Sequence, residues 1–166
     1  MQISEILLLY SYNYWATERI LTAASKITGA QFIQPTAHCH GSLRGTLVHT
    51  LNAEWRWRLR WQTGSAPEKM CEDNFPMVET LRRRWREEEQ AMGAYLAGLQ
   101  EDDLYGVVSY ATPRGNRQNI LWHLLVHVVN HGTQHRSEAA AMLTEYGQSP
   151  SDLDLVLYVE AQASAG

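Results

Sequence analysis

Four histidines recur at every fourth position, His123, His127, His131 and His135, inside the largely apolar run from Asn119 to Glu145, and this pattern restricts the chain more than any other. At 3.6 residues per turn a four-residue step advances only about 40° around a helix, so His131 and His135 leave one face about 6 Å apart. Ile120, Leu121, Leu124, Leu125, Val128, Ala139 and Leu143 recur beside them at helical spacing and set the stripe near a core. Asn116 or Asn119 is expected to cap the start, no proline interrupts the run, and Gly147 followed by Pro150 supplies the stop. The spacing predicts a long helix.

A histidine on such a face is either a hydrogen-bonded core residue or a metal ligand, and both readings are open for His123 and His127. His131 and His135 can reach one ion, but two histidines make an incomplete site. Catalytic zinc takes three protein ligands and leaves one position open. The third ligand has to come from elsewhere in the chain.

The chain has 166 residues, is 45% hydrophobic, and can bury one sizeable core, which predicts a single domain over residues 1–166. Its net charge of −4 argues against binding to nucleic-acid phosphates, which needs Lys and Arg gathered on a face. The run Ile6 to Leu9 is too short for a signal core or a membrane span, so a cytoplasmic location and no membrane partner are expected. Two cysteines, Cys39 and Cys71, make no disulfide framework and fit free thiols in a reducing compartment.

Taken in order, Ser4 to about Ser25 reads as a first helix with Ser4 as cap, unusually aromatic through Tyr12, Tyr14 and Trp15, and ended before Gly29. The connection from Gly29 to Gly41 contains His38-Cys39-His40. Its histidine and thiol side chains can in principle bind metal, but neighbouring residues of an extended loop point in different directions and no second cluster of finger spacing follows, so this tripeptide reads as solvated loop. Ser42 to Thr63 reads as the second helix, capped by Ser42 and ended at Gly64. His49 lies in its first half, where Gly45, Thr46 and Ala53 let a neighbour approach closely, and it is the candidate third ligand from a facing helix.

Arg56, Arg58 and Arg60 alternate with Trp55, Trp57 and Trp61, which on a helix reads as arginine stems covering tryptophans. A third helix is expected from about Met77 to Leu99. Its block of Arg82, Arg83, Arg84 and Arg86 followed by Glu87, Glu88 and Glu89 reads as a solvated, self-pairing face. Glu101 to Arg117 has extended or hairpin character, and a short amphipathic piece, Leu153 to Val159, follows the fourth helix. The predicted fold is all-α, a four-helix bundle with a short hairpin segment before the fourth helix and a metal site built from facing helices.

Three stretches carry a family likeness: Tyr12-Asn13-Tyr14-Trp15-Ala16, Leu47-Val48-His49-Thr50-Leu51, and the run from His127 through His131 and His135 to Arg136. They resemble the DinB/YfiT-like family of metal-binding four-helix proteins. The resemblance implies a metal triad of His49, His131 and His135, usually in a homodimer, and family activities that include thiol-dependent transferases and isomerases using small cytoplasmic thiols. One departure is visible. Where the family continues with glycine and glutamine after His-Arg, this chain has Ser137 and Glu138. Glu138, three residues after His135, reads either as a surface or interface carboxylate or as a group that orients that imidazole or acts as a catalytic base.

The function expected is that of a divalent-metal enzyme, with zinc or nickel on the three histidines activating a low-molecular-weight thiol against a small-molecule electrophile. The alternatives are a metal-dependent hydrolase and a metal- or ligand-binding protein without turnover. A pocket lined by Trp15, His127 or Glu138 is the arrangement expected of an enzyme.

Overall fold

The computed structural model describes residues 1–38, 40–112 and 115–165. Four long helices, α1 (Ile3–Ala24), α3 (Leu43–Thr63), α4 (Val78–Ala97) and α5 (Leu121–Glu145), make the all-α bundle, with shorter α2 (Gly29–Ile33) and α6 (Leu155–Ala165) beside them. Contacts run from α1 to α5, α5 to α3, α3 to α4 and α4 back to α1, which closes the ring of four. Two short 3-10 turns, Glu72–Asn74 and Glu101–Tyr105, lie in the connections. Among the described residues, no helix is long and apolar enough to cross a membrane.

The helix ends follow local chemistry. Ser42 accepts a 2.9 Å hydrogen bond from the Gly45 amide, and Gly64 closes α3 in the left-handed region at φ 76°, where glycine lacks the Cβ that would clash. α5 stops at Gly147, φ 72°, with the Gln148 amide returning to the Leu143 carbonyl at 2.8 Å. Its start differs from expectation. Asn116 and Asn119 do not cap it, because both belong to β2 (Gly115–Ile120), antiparallel to β1 (Val107–Thr112) in a register that pairs Val107 with Ile120 and Thr112 with Gly115. The Leu121 amide donates instead to the Gly106 carbonyl at 2.9 Å, and Asn119 Oδ1 is taken by the Tyr110 hydroxyl, which donates to it. α1 is capped from Gln2 rather than Ser4, through a reciprocal arrangement with Glu5.

The buried face of α5 runs Leu121, Leu124, Leu125, Val128, Val129, Gly132, His135, Arg136, Ala139, Met142 and Leu143, the three-and-four spacing of a helix packed on both sides. Full burial of each aliphatic side chain here contributes about 1.5–3 kcal/mol. The α4 charge block departs from a purely solvated reading. Glu88 is completely buried, held by Arg58 Nε at 2.6 Å and Arg58 Nη2 at 2.8 Å, and buried Arg82 pairs with Glu18 of α1. Arg60 covers Trp57 at 4.5 Å as expected, whereas Arg84 of α4 covers Trp55 at 5.5 Å and Arg56 donates to the Pro67 carbonyl.

Between the four helices lies one continuous polar network. Glu54 of α3 accepts from Asn13 Nδ2 of α1 at 3.0 Å and from Trp85 Nε1 of α4 at 3.3 Å. Arg136 of α5 donates to Asn13 Oδ1 and, at 2.9 Å, to Thr133 Oγ1. Gly132 makes the room. A Cβ there would press on the Arg136 guanidinium and Asn13 Oδ1. Each helix of the bundle thereby contributes a group to a seam that fixes their relative placement, including the turn of α5 on which His131 and His135 stand.

Candidate metal centre

His49 projects from the second turn of α3, and His131 and His135 from adjacent turns of α5 on the facing surface. Because α3 is anchored by its Ser42 cap and α5 runs unbroken through the region, all three imidazoles are set on rigid elements. His131 Nε2 lies 3.2 Å from His49 Nε2 and 3.2 Å from His135 Nε2. The three sequence-predicted positions therefore meet nitrogen to nitrogen.

Proton accounting makes this contact unusual. The Glu138 carboxylate lies 2.9 Å from His135 Nδ1, so that nitrogen carries the hydrogen and donates it, leaving Nε2 with a lone pair. His131 Nε2 then faces two ring nitrogens at once. No tautomer of the neutral imidazoles gives both 3.2 Å contacts a hydrogen bond of its own. A cation that accepts lone pairs satisfies all three together. A zinc–nitrogen distance of about 2.0–2.1 Å in tetrahedral geometry places ligand nitrogens about 3.3 Å apart, close to the separations here.

The electrostatics agree with ligand-ready rings. Burial, then the neighbouring imidazoles of His40, His135 and His131, lowers His49 to about 3. Burial followed by His135 and His127 lowers His131 to about 4. Both rings are neutral near pH 7, the form in which histidine binds a metal.

A fourth histidine joins them from the connection that was read as solvated loop. The His40 ring stacks on His49 at 3.7 Å between centroids and 18° between planes, and meets His135 edge-on at 4.9 Å. Ligand nitrogens of His40, His49 and His135 lie within 4.8 Å of one another, an arrangement able to hold a metal ion. Two overlapping triads result, sharing His49 and His135. What brings His40 here is a compact turn. The Gly41 amide donates to the His38 carbonyl, the Gly41 carbonyl accepts from Thr36, and Gly41 adopts φ 72°, folding the chain back onto the start of α3. Gly45 is the seat, since a Cβ at that position would overlap the His40 carbonyl oxygen. A histidine two residues before a helix cap and followed by glycine was the available signal. Cys39 lies outside the described residues.

His127 extends the cluster by 5.9 Å from His131 and stands edge-on to Trp57 at 5.6 Å, which in turn meets Tyr110 of β1 at 5.1 Å. This gives the histidines an aromatic flank. Trp15 is elsewhere. It packs against Tyr12 and Tyr158 of α6 and under Arg19, so the pairing with α6 takes the ring that was expected at the pocket. His123 is exposed on α5 and meets Trp122 edge-on at 4.1 Å.

Comparison with known proteins agrees with this fold. The sequence profile of the DinB family matches residues 1–165. Protein DinB of Bacillus subtilis (strain 168) is 26% identical over 164 residues, covering 91% of this chain and 92% of that protein. The crystal structure of a DinB-like protein from Bacillus cereus ATCC 10987 superposes with a TM-score of 0.71 at 18% identity, over 91% of this chain and 97% of the other, and so shares the fold.

Proposed function

Because the chain belongs to the DinB family, we propose that it is a divalent-metal enzyme in which His49, His131 and His135 hold zinc or nickel and a small thiol is the nucleophile. The observation that carries this reading is His131 Nε2 lying 3.2 Å from both His49 Nε2 and His135 Nε2, with the His135 ring tied from behind by Glu138. Imidazole suits both metals. A divalent ion on neutral ligands keeps its full charge and supplies the acidification of a thiol or water that reaches it.

The chain's own residues do the rest. Burial keeps His49 and His131 neutral, and Glu138 fixes the His135 tautomer so that Nε2 points its lone pair inward. That contact favours Glu138 as a positioning residue over a base. Trp57, Tyr110 and His127 offer an apolar flank on which the carbon body of an electrophile can lie. Metal binding without turnover is the reading that the fourth imidazole favours, since four protein ligands close a site; water in place of thiol would make the protein a hydrolase.

The test is a screen of low-molecular-weight thiols against several electrophiles, with metal-loaded wild type and His131→Ala side by side. The proposal expects rates in wild type that vanish in the variant together with its metal. Equal rates in the two proteins would contradict it.

A further inference from the structure

We infer that His40 is a fourth, exchangeable metal ligand, a loop-borne imidazole that competes with incoming thiol for the remaining coordination position. This rests on the metal reading above and adds to it a control on access. Three observations carry it. His40 nitrogen lies within 4.8 Å of ligand nitrogens on His49 and His135, and its ring stacks directly on His49. Unlike the other three, it stands on a connection outside the helices, whose local bonds are those of a short turn hinged at Gly41. It is also half-exposed, as His49 and His131 are, whereas His135 is buried.

The consequence is chemical. With three helix-borne imidazoles the ion keeps an open position; with His40 added it has four nitrogen donors and is closed. Moving His40 away gives up its ring contacts with His49 and His135 and loosens the local turn, in which the Ser42 amide donates to its carbonyl, but it moves no helix. Displacing His49, His131 or His135 means moving a bundle helix. The loop ligand is therefore the one that yields.

Two variants separate ligand from scaffold. His40→Ala removes the imidazole. Gly45→Ala keeps all four imidazoles but places a methyl where the His40 carbonyl rests, so it pushes the loop off the site while favouring helix at that position. His38→Ala, on the same connection, is the control. Each protein is loaded with Co2+, its visible spectrum is recorded, its metal affinity is measured by chelator competition at fixed neutral pH, and 2-mercaptoethanol is titrated in by following the sulfur-to-cobalt charge-transfer band.

The expected result is a changed Co2+ spectrum and a partial loss of metal affinity, short of that in His131→Ala, in His40→Ala and Gly45→Ala. Both should also take up 2-mercaptoethanol at lower concentration than wild type, and His38→Ala should match wild type throughout. Identical spectra, affinities and thiol titrations in wild type and His40→Ala would overturn the inference while leaving the three-histidine reading intact. Complete metal loss in His40→Ala, equal to that of His131→Ala, would make His40 an obligatory ligand and overturn exchangeability. A wild type that takes up no Co2+ would overturn both the inference and the reading beneath it.

Discussion

Two polar clusters share α5, and they solve the problem of buried nitrogen and oxygen in opposite ways. In the interhelical seam every partner is another protein group: Glu54 faces Asn13 and Trp85, and Arg136 faces Asn13 and Thr133. One turn away, His49, His131 and His135 face each other with more lone pairs than hydrogens. Donors and acceptors are matched in the first cluster and unmatched in the second. A matched cluster holds a fold together, and an unmatched cluster of neutral imidazoles is a site for a cation.

The largest effect that sharpens this contrast is on stability. Glu54→Ala should cost about 3–5 kcal/mol, because it leaves Asn13 and Trp85 without their acceptor and Arg136 without its nearby carboxylate. His131→Ala should change the stability of metal-free protein by less than about 1 kcal/mol, since it removes a ring whose contacts lack a full set of hydrogens. Urea unfolding of the two variants in metal-free buffer checks this, and a larger loss in His131→Ala would reverse the assignment.

The histidine half of this contrast was legible in the sequence; the seam was not, because Asn13, Glu54, Trp85 and Arg136 meet from four helices far apart in the chain. A four-residue step on an unbroken helix translates directly into distance, so His131 and His135 were readable as a pair, and His49 followed as the histidine of a facing helix with small neighbours. Glu138 was readable for the same reason, one turn from His135. His40 was not, because its position depends on a positive-φ turn at Gly41 and a seat at Gly45 that only the packed loop defines. Glu88 looked like part of a charged run because its partner, Arg58, is 30 residues away on another helix. Trp15 shared the first helix with Asn13, yet α6, from the far end of the chain, decides what that ring touches.

The two clusters should also pull the pH dependence of stability in opposite directions. His49 and His131 titrate near 6.5 when unfolded and at about 3 and about 4 when folded, so the unfolded chain binds more protons across that window. Their contribution to stability falls as pH drops from about 6.5 toward 4. Burial pushes the Glu54 carboxyl up to about 7, so the folded chain holds more protons there, and that contribution is lost as pH rises from the usual carboxylate range through 7. Denaturation of metal-free protein between pH 4 and 8 should show a flatter acid limb in His131→Ala and a flatter neutral limb in Glu54→Gln. Unchanged profiles in both would break the comparison.

A smaller effect is expected behind the ligand. Glu138→Ala should weaken metal binding about ten- to hundredfold without abolishing it, because His135 loses the group that fixes its tautomer and orientation. Glu138→Gln retains an acceptor without the charge and should fall between that variant and wild type in chelator competition. A Glu138→Ala protein with wild-type affinity would remove Glu138 from the site.

The most direct measurement is metal content per chain after equilibration with Zn2+ or Ni2+ and dialysis against a weak chelator at neutral pH, for wild type, His49→Ala, His131→Ala, His135→Ala and the controls His123→Ala and His38→Ala. The three-histidine account predicts an occupied site in wild type and both controls, with sharply reduced occupancy in each of the three triad variants while all remain folded. Full occupancy in any triad variant, or no metal in wild type, would contradict it.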